Sequence, residues 1–204
     1  MYVTRHSRIV DRSLIDALWL VYERAYVRTA QETVTHEMLE RAEFSDQLAD
    51  HSNRVWVVWD DGRPVGMALI STDVNRTRWL SDIYFRTHFP ERYAAGQVHY
   101  VVWVTIDPSY IASGAVAILA EQALSVEAAD GALLVFDVPD INQRGENGGA
   151  ADLMIRLART VSEASLVPLG TQKYYAVDFP VVKTEVATSV EGDDRAPDAL
   201  DTRR

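Results

Sequence analysis

TIDPSYIASGAVAIL, residues 105–119, is the stretch on which the fold turns. A strand-like apolar run stops at Asp107-Pro108, a short turn follows, and a helix of small residues begins at about Gly114. A chain that leaves a strand and enters a helix this way presents backbone N–H groups at the helix N-terminus, an arrangement that holds phosphate. The stretch contains one glycine and no basic side chain. Any hold on an anion there falls to the backbone.

On its N-terminal side, VHYVVWVTI (98–106) is a β-prone run of the buried type. Downstream, the helix over 114–129 is ended by Asp130-Gly131, and ALLVFDV (132–138) reads as a second buried strand. Strand, helix and strand in succession make a crossover, so the two strands are parallel neighbours. Further upstream, RVWVVWDDGRPVGMALISTDV (54–74) is a hairpin turning at Asp61-Gly62.

Ser13 and Asp16 resemble a capping box, and Leu14, Ile15, Leu18, Val21, Tyr22 and Ala25 keep helical spacing to about Ala30. A second helix is expected over 38–49. The aromatic segment 79–97 predicts a short helix with a loop around Pro90. After residue 138 the polar loop PDINQRGENGG (139–149) leads to a helix over 150–164 and to one or two last strands in LVPLGTQKYYAVDF (166–179). Beyond Pro180 the chain is polar and has no helical face, which alone predicts disorder. The expectation is an α/β (α+β) domain over 1–180, a mixed sheet of six to seven strands with helices on both faces, and a polar C-terminal tail over 181–204.

The 204 residues carry 48% hydrophobic side chains, including nine tyrosines and five tryptophans, enough for a sizeable core. No run approaches the roughly 18 apolar residues of a membrane helix. The N-terminal stretch lacks the apolar core of a signal peptide. Cysteine is absent, which removes disulfides and thiolate chemistry and makes the cytoplasm the expected compartment. A net charge of −10 argues against nucleic acid as the main partner and is compatible with a cationic substrate.

This order of elements resembles the GNAT superfamily of acyl-CoA-dependent N-acyltransferases, over roughly residues 3–180. RVWVVWDDGRPVGMALI resembles the family's hairpin, VWVTIDPSYIASGAVAILAEQAL its strand–loop–helix, NGGAADLMIRLA (147–158) its next helix start, and LVPLGTQKYYAVDF its terminal strand pair. The resemblance implies acetyl-CoA or another acyl-CoA as co-substrate and a small amine as acceptor. In the family, a loop of pattern Q/R-x-x-G-x-G/A holds the CoA pyrophosphate. Here its three signature positions are Ile111, Gly114 and Val116, so one of three is kept. The implied cofactor-binding set is Ile111, Ala112, Ser113, Gly114, Ala115 and Val116, with Val104 and Ile106 on the preceding strand and Asn147 beyond.

The resemblance also implies a general base early on that strand, where the sequence offers His99 and Tyr100. Neighbours on a strand face opposite ways, so one of them lines the cleft. His99 has the unperturbed pKa nearer neutrality; it also reads as a simple strand-end residue. At the position where many members carry an acidic tyrosine stands Met154, which cannot donate a proton.

Asp137, Asp140 and Glu146 cluster near the end of the strand over 132–138, where they cap the next helix, bind a divalent ion or orient a cationic amine. His36, His51 and His88 stand singly and have no metal-ligand spacing. Ser109 and Ser113 lack a G-x-S-x-G context. Trp79, Tyr84, Phe85, His88, Phe89 and Tyr93 either pack over the sheet, wall an acceptor pocket or form a contact surface. Two functions remain open. One is an N-acyltransferase; the other is a catalytically silent subunit of the same fold, meeting a second copy or another partner through the C-terminal tail.

Overall fold

In the computed structural model the hairpin consists of β2 (Asn53–Asp60) and β3 (Arg63–Ser71). Asp61 (φ 45°) and Gly62 (φ 75°) alone join them. Positive φ at both central residues is the two-residue turn whose twist matches the strands it joins. The structure describes residues 1–32, 38–139, 142, 149–173 and 176. Among these, the sheet has five strands in the order β1-β2-β3-β4-β5. The other members are β1 (Tyr2–His6), β4 (Val98–Ile106) and β5 (Leu133–Val135). Pairing is antiparallel throughout except between β4 and β5, which are parallel as the crossover requires.

Alternation in β2 and β3 builds the two layers. Val55, Val57, Met67 and Leu69 face α1 (Arg12–Glu32) and α2 (Arg41–Ala49), and join Leu18, Tyr22, Phe44 and Leu48 in one core. Trp56, Val58, Ala68 and Ile70 face the other way, onto Ala115, Leu119 and Ala123 of α5 (Ala115–Ala129). A third cluster of Val74, Phe85, Val98, Tyr100 and Val135 lies where α3 (Asp82–His88) and α4 (Pro90–Ala94) cover the start of β4. α6 (Ala150–Val161) packs on α5. Among the described residues no helix is long and apolar enough to cross a membrane.

The α/β class and the helices on both faces are as expected; several details differ. β1 has no counterpart in the sequence expectation, because five residues with one weak alternation fall below what periodicity detects. It pairs along the edge of β2 from Tyr2↔Trp59 to His6↔Val55. The strand expected over 132–138 narrows to three residues. Segment 79–97 forms two short helices, the second opened by Pro90 at its first position, where the missing N–H costs nothing. Of the strands expected over 166–179, residues 166–173 are irregular, and most of the rest lies outside the described residues, as does the tail over 181–204. Among the described residues five strands are seen where six to seven were expected over the chain.

Candidate functional site

β4 and β5 pair over three residues only, Val98↔Leu133, His99↔Leu134 and Tyr100↔Val135. From Val101 to Ile106 the β5-facing edge of β4 has no strand partner among the described residues. The cause lies one step further along. On β3, Leu69 pairs with Trp103 and the next residue, Ile70, with Val101, so Val102 is an extra residue in β4. Such a bulge bends and twists the strand that carries it, and re-aims the side chains beyond it. Val101 accordingly faces α5, and Trp103 faces α1. The two strands part at this bulge and leave a fork lined by backbone N–H and C=O groups.

The chain then turns at the far end of β4. Asp107 accepts hydrogen bonds from the Ser109 backbone N–H (3.0 Å) and hydroxyl (2.6 Å) and caps a 3₁₀ turn over Pro108–Ser113. Gly114 follows in the left-handed region (φ 84°, ψ 3°) and opens α5. The Ser113 hydroxyl accepts from the Ala115 N–H at 3.3 Å and donates to the Tyr110 carbonyl at 2.6 Å. A Cβ built on Gly114 meets nothing within 4 Å, so the space beside this helix start is open. The Asp107 carboxyl is held below its ordinary range, first by the Ser109 hydroxyl, against the effect of burial, then by the Ser109 N–H and by Arg24. Arg24, on α1, donates to Asp107 at 3.0 Å and balances the one carboxylate of this turn.

What this place offers an anion is backbone rather than charge. The start of α5 offers N–H groups and the positive end of a helix dipole, Gly114 leaves room for close approach, and the free edge of β4 offers peptide groups for an amide-bearing chain. Within 111–116 no side chain is basic. Ile111 is 66% exposed, and Val116 is half-buried. Ala112 and Ser113 are exposed on the turn, whereas Ala115 is buried beneath it. On β4, Val104 is exposed and Ile106 packs in the core toward α5. Asn147, Asp140, Glu146 and His36 lie outside the described residues.

The two candidate bases separate cleanly. His99 is buried on the α5 side, and its Nδ1 is bonded to Glu127, itself 3% exposed. Glu127 accepts from Arg54 Nη1 at 2.7 Å, and Arg54 Nη2 donates to Asp130 at 2.5 Å. Burial works against the Arg54 charge; the hydrogen bonds and charges of Glu127 and Asp130 outweigh it and raise the guanidinium pKa. This chain of groups ties β2, β4 and the end of α5 together. Tyr100 points the other way. Its ring is buried against the Trp79 ring (centroids 6.1 Å apart), and its hydroxyl donates to Asp137 Oδ1 at 2.5 Å. The bond spans the base of the fork, because Tyr100 makes the last β4–β5 pair and Asp137 stands two residues past Val135.

His99, Tyr100 and Asp137 are legible as candidates in the sequence; Glu127, Arg54 and Arg24 are not. Their partners lie 28, 73 and 83 residues away, and no local spacing reports such pairs. Met154 is half-buried on α6. Tyr84, Phe85, Phe89 and Tyr93 pack in or against the third core cluster, and His88 stacks on Tyr84 with centroids 4.3 Å apart.

The acetyltransferase (GNAT) family profile matches residues 15–144, more than half of the chain. No curated protein sequence matches. Among solved structures, an aminoglycoside acetyltransferase from an uncultured soil metagenomic sample, in complex with trehalose, is 11% identical with a TM-score of 0.50, over 86% of this chain and 95% of that one. The aminoglycoside acetyltransferase AAC(6')-Iy with a bisubstrate analogue is 11% identical over 86% and 100%, with a TM-score of 0.48. A ribosomal-protein-alanine N-acetyltransferase from Brucella melitensis biovar Abortus 2308 is 11% identical over 87% and 98%, with a TM-score of 0.42. At such identity the first of these speaks for the fold alone.

Proposed function

Because this chain belongs to the acetyltransferase (GNAT) family, we propose that it transfers an acyl group from acetyl-CoA or another acyl-CoA to the nitrogen of a small amine. The observation that carries this reading is the fork: β4 and β5 part after Tyr100↔Val135, and the unpaired part of β4 runs on through a 3₁₀ turn to a helix start capped by a left-handed glycine. The co-substrate supplies an activated acyl thioester. The N–H groups around Gly114 hold its phosphates, with Ile111, Ala112, Ser113, Ala115 and Val116 completing the turn and Asn147 expected beyond it. The edge of β4 near Val104 and Ile106 holds its amide-bearing arm.

Deprotonation of the amine falls to the Tyr100 side of β4. Tyr100 reaches the fork, whereas His99 is turned onto α5 and occupied by Glu127. No tyrosine replaces Met154, so the thiolate leaves without a proton donor from α6. General acid–base assistance is typically worth about 10²–10⁴-fold, which makes a slow enzyme the expectation rather than a dead one.

The test is thiol release from acetyl-CoA in the presence of primary amines, read with a disulfide reagent; the chain has no cysteine to interfere. Amine-dependent release that drops at least tenfold in Tyr100→Phe supports the reading. Release that no amine accelerates contradicts it. The silent-subunit reading is favoured by Ile111, Val116 and Met154, and predicts that second result.

A further inference from the structure

A primary alkylamine carries a proton at neutral pH, since its pKa resembles that of lysine, about 10.4. An acceptor site must therefore hold a cation and then receive its proton. Carboxylates elsewhere on the sheet and its helices are paired: Asp107 by Arg24, Glu127 and Asp130 by Arg54, Asp82 by Arg86. Asp137 differs. Among the described residues no cation lies within ion-pair distance of it, and its one hydrogen bond, from Tyr100, engages Oδ1. It is exposed, while the Tyr100 ring that addresses it is 4% exposed and fixed against Trp79, Val74, Phe85 and Val135. Among the described residues, a carboxyl group without a cation beside it and a rigidly placed phenol thus meet at the base of the fork.

We propose that Asp137 binds the ammonium group of the acceptor and that the Tyr100–Asp137 hydrogen bond takes up its proton. This rests on the acyltransferase reading for its chemistry but not for its binding. The ammonium approaches Oδ2 and the Tyr100 oxygen. One N–H proton passes to the Tyr100 oxygen while the Tyr100 proton passes to Asp137, leaving a neutral amine and a protonated carboxyl. The amine nitrogen then forms its bond to the acyl carbon of the acyl-CoA thioester. The C–S bond breaks with its electron pair on sulfur, and the second amine proton goes to solvent. Arg78 already lies over the Trp79 ring at 5.0 Å, so cation recognition comes from the carboxylate and not from that π face.

The experiment uses the full chain and two probes of matched shape, 2-phenylethylamine and 2-phenylethanol, titrated against tryptophan fluorescence. The wild type is expected to bind the amine at least tenfold more tightly than the alcohol, and Asp137→Asn, which keeps the shape and can keep the bond to Tyr100, is expected to erase that preference. Tyr100→Phe leaves the carboxylate in place and is expected to retain the preference. In turnover with acetyl-CoA, Asp137→Asn then raises the amine KM at least tenfold and lowers kcat without changing the KM for acetyl-CoA, and Tyr100→Phe lowers kcat. Equal binding of the two probes, binding of neither, or a preference that survives Asp137→Asn overturns the assignment. A parallel titration with acetyl-CoA separates the two readings: amine preference without acetyl-CoA binding removes the acyltransferase and leaves the ammonium site.

Discussion

At Gly114 the backbone conformation, not the space around it, excludes other residues. With φ at 84° and nothing within 4 Å of an added Cβ, Gly114→Ala meets no clash but must adopt the left-handed region. That costs about 1–2 kcal/mol for an L-residue, and denaturant unfolding should show a loss of that size with an unchanged m-value. Asp107 yields a pH signature. Its carboxyl is held below the ordinary range, first by the Ser109 hydroxyl, so the folded form gains stability that is full above the unfolded pKa, about 4, and is lost as pH falls through the lower folded value. Ser109→Ala brings the folded pKa back toward the ordinary value. The stability gap between wild type and Ser109→Ala should therefore be widest near neutrality and shrink on acidification in urea unfolding series. A gap that grows toward low pH would contradict the assignment.

Among the elements, the buried chain Arg54–Glu127–His99 fastens the last turn of α5 to β2 and β4. Carboxylates near a helix C-terminus, here Glu127 and Asp130, oppose the dipole, and the Arg54 guanidinium paired with both offsets them. Glu127→Ala leaves a half-buried guanidinium with one partner and removes the carboxylate from a buried imidazole, a class of change that costs roughly 3–5 kcal/mol. Chemical denaturation should show that loss, and replacing Arg54 and Glu127 together by methionine should recover much of it. If the single and double variants are equally destabilised, the network is not what holds α5. The bulge at Val102 is the other decisive element, since it both parts β4 from β5 and decides which β4 side chains meet which helix.

For the protein taken entire, the sequence carries the hairpin, the crossover and the glycine-capped helix, because each has a local signal: Asp61-Gly62, a buried run ending at Asp107-Pro108, and Gly114 before a run rich in alanine. It does not carry β1, whose reason to be a strand is the edge of β2 some fifty residues away, nor the bulge, which no residue type announces. The site divides in the same way. Tyr100 and His99 are visible as neighbours of opposite facing, but which of them reaches the fork depends on Glu127 and Asp137, 28 and 37 residues distant. With a net charge of −10 and no basic side chain over 111–116, the acyl-CoA binding proposed for this loop rests on backbone groups. Calorimetric titration of acetyl-CoA into the full chain, with desulfo-CoA as the unreactive control, puts that conclusion to trial. Micromolar binding of both ligands, weakened in Gly114→Ala, is the expected result; no heat of binding up to millimolar ligand would contradict it.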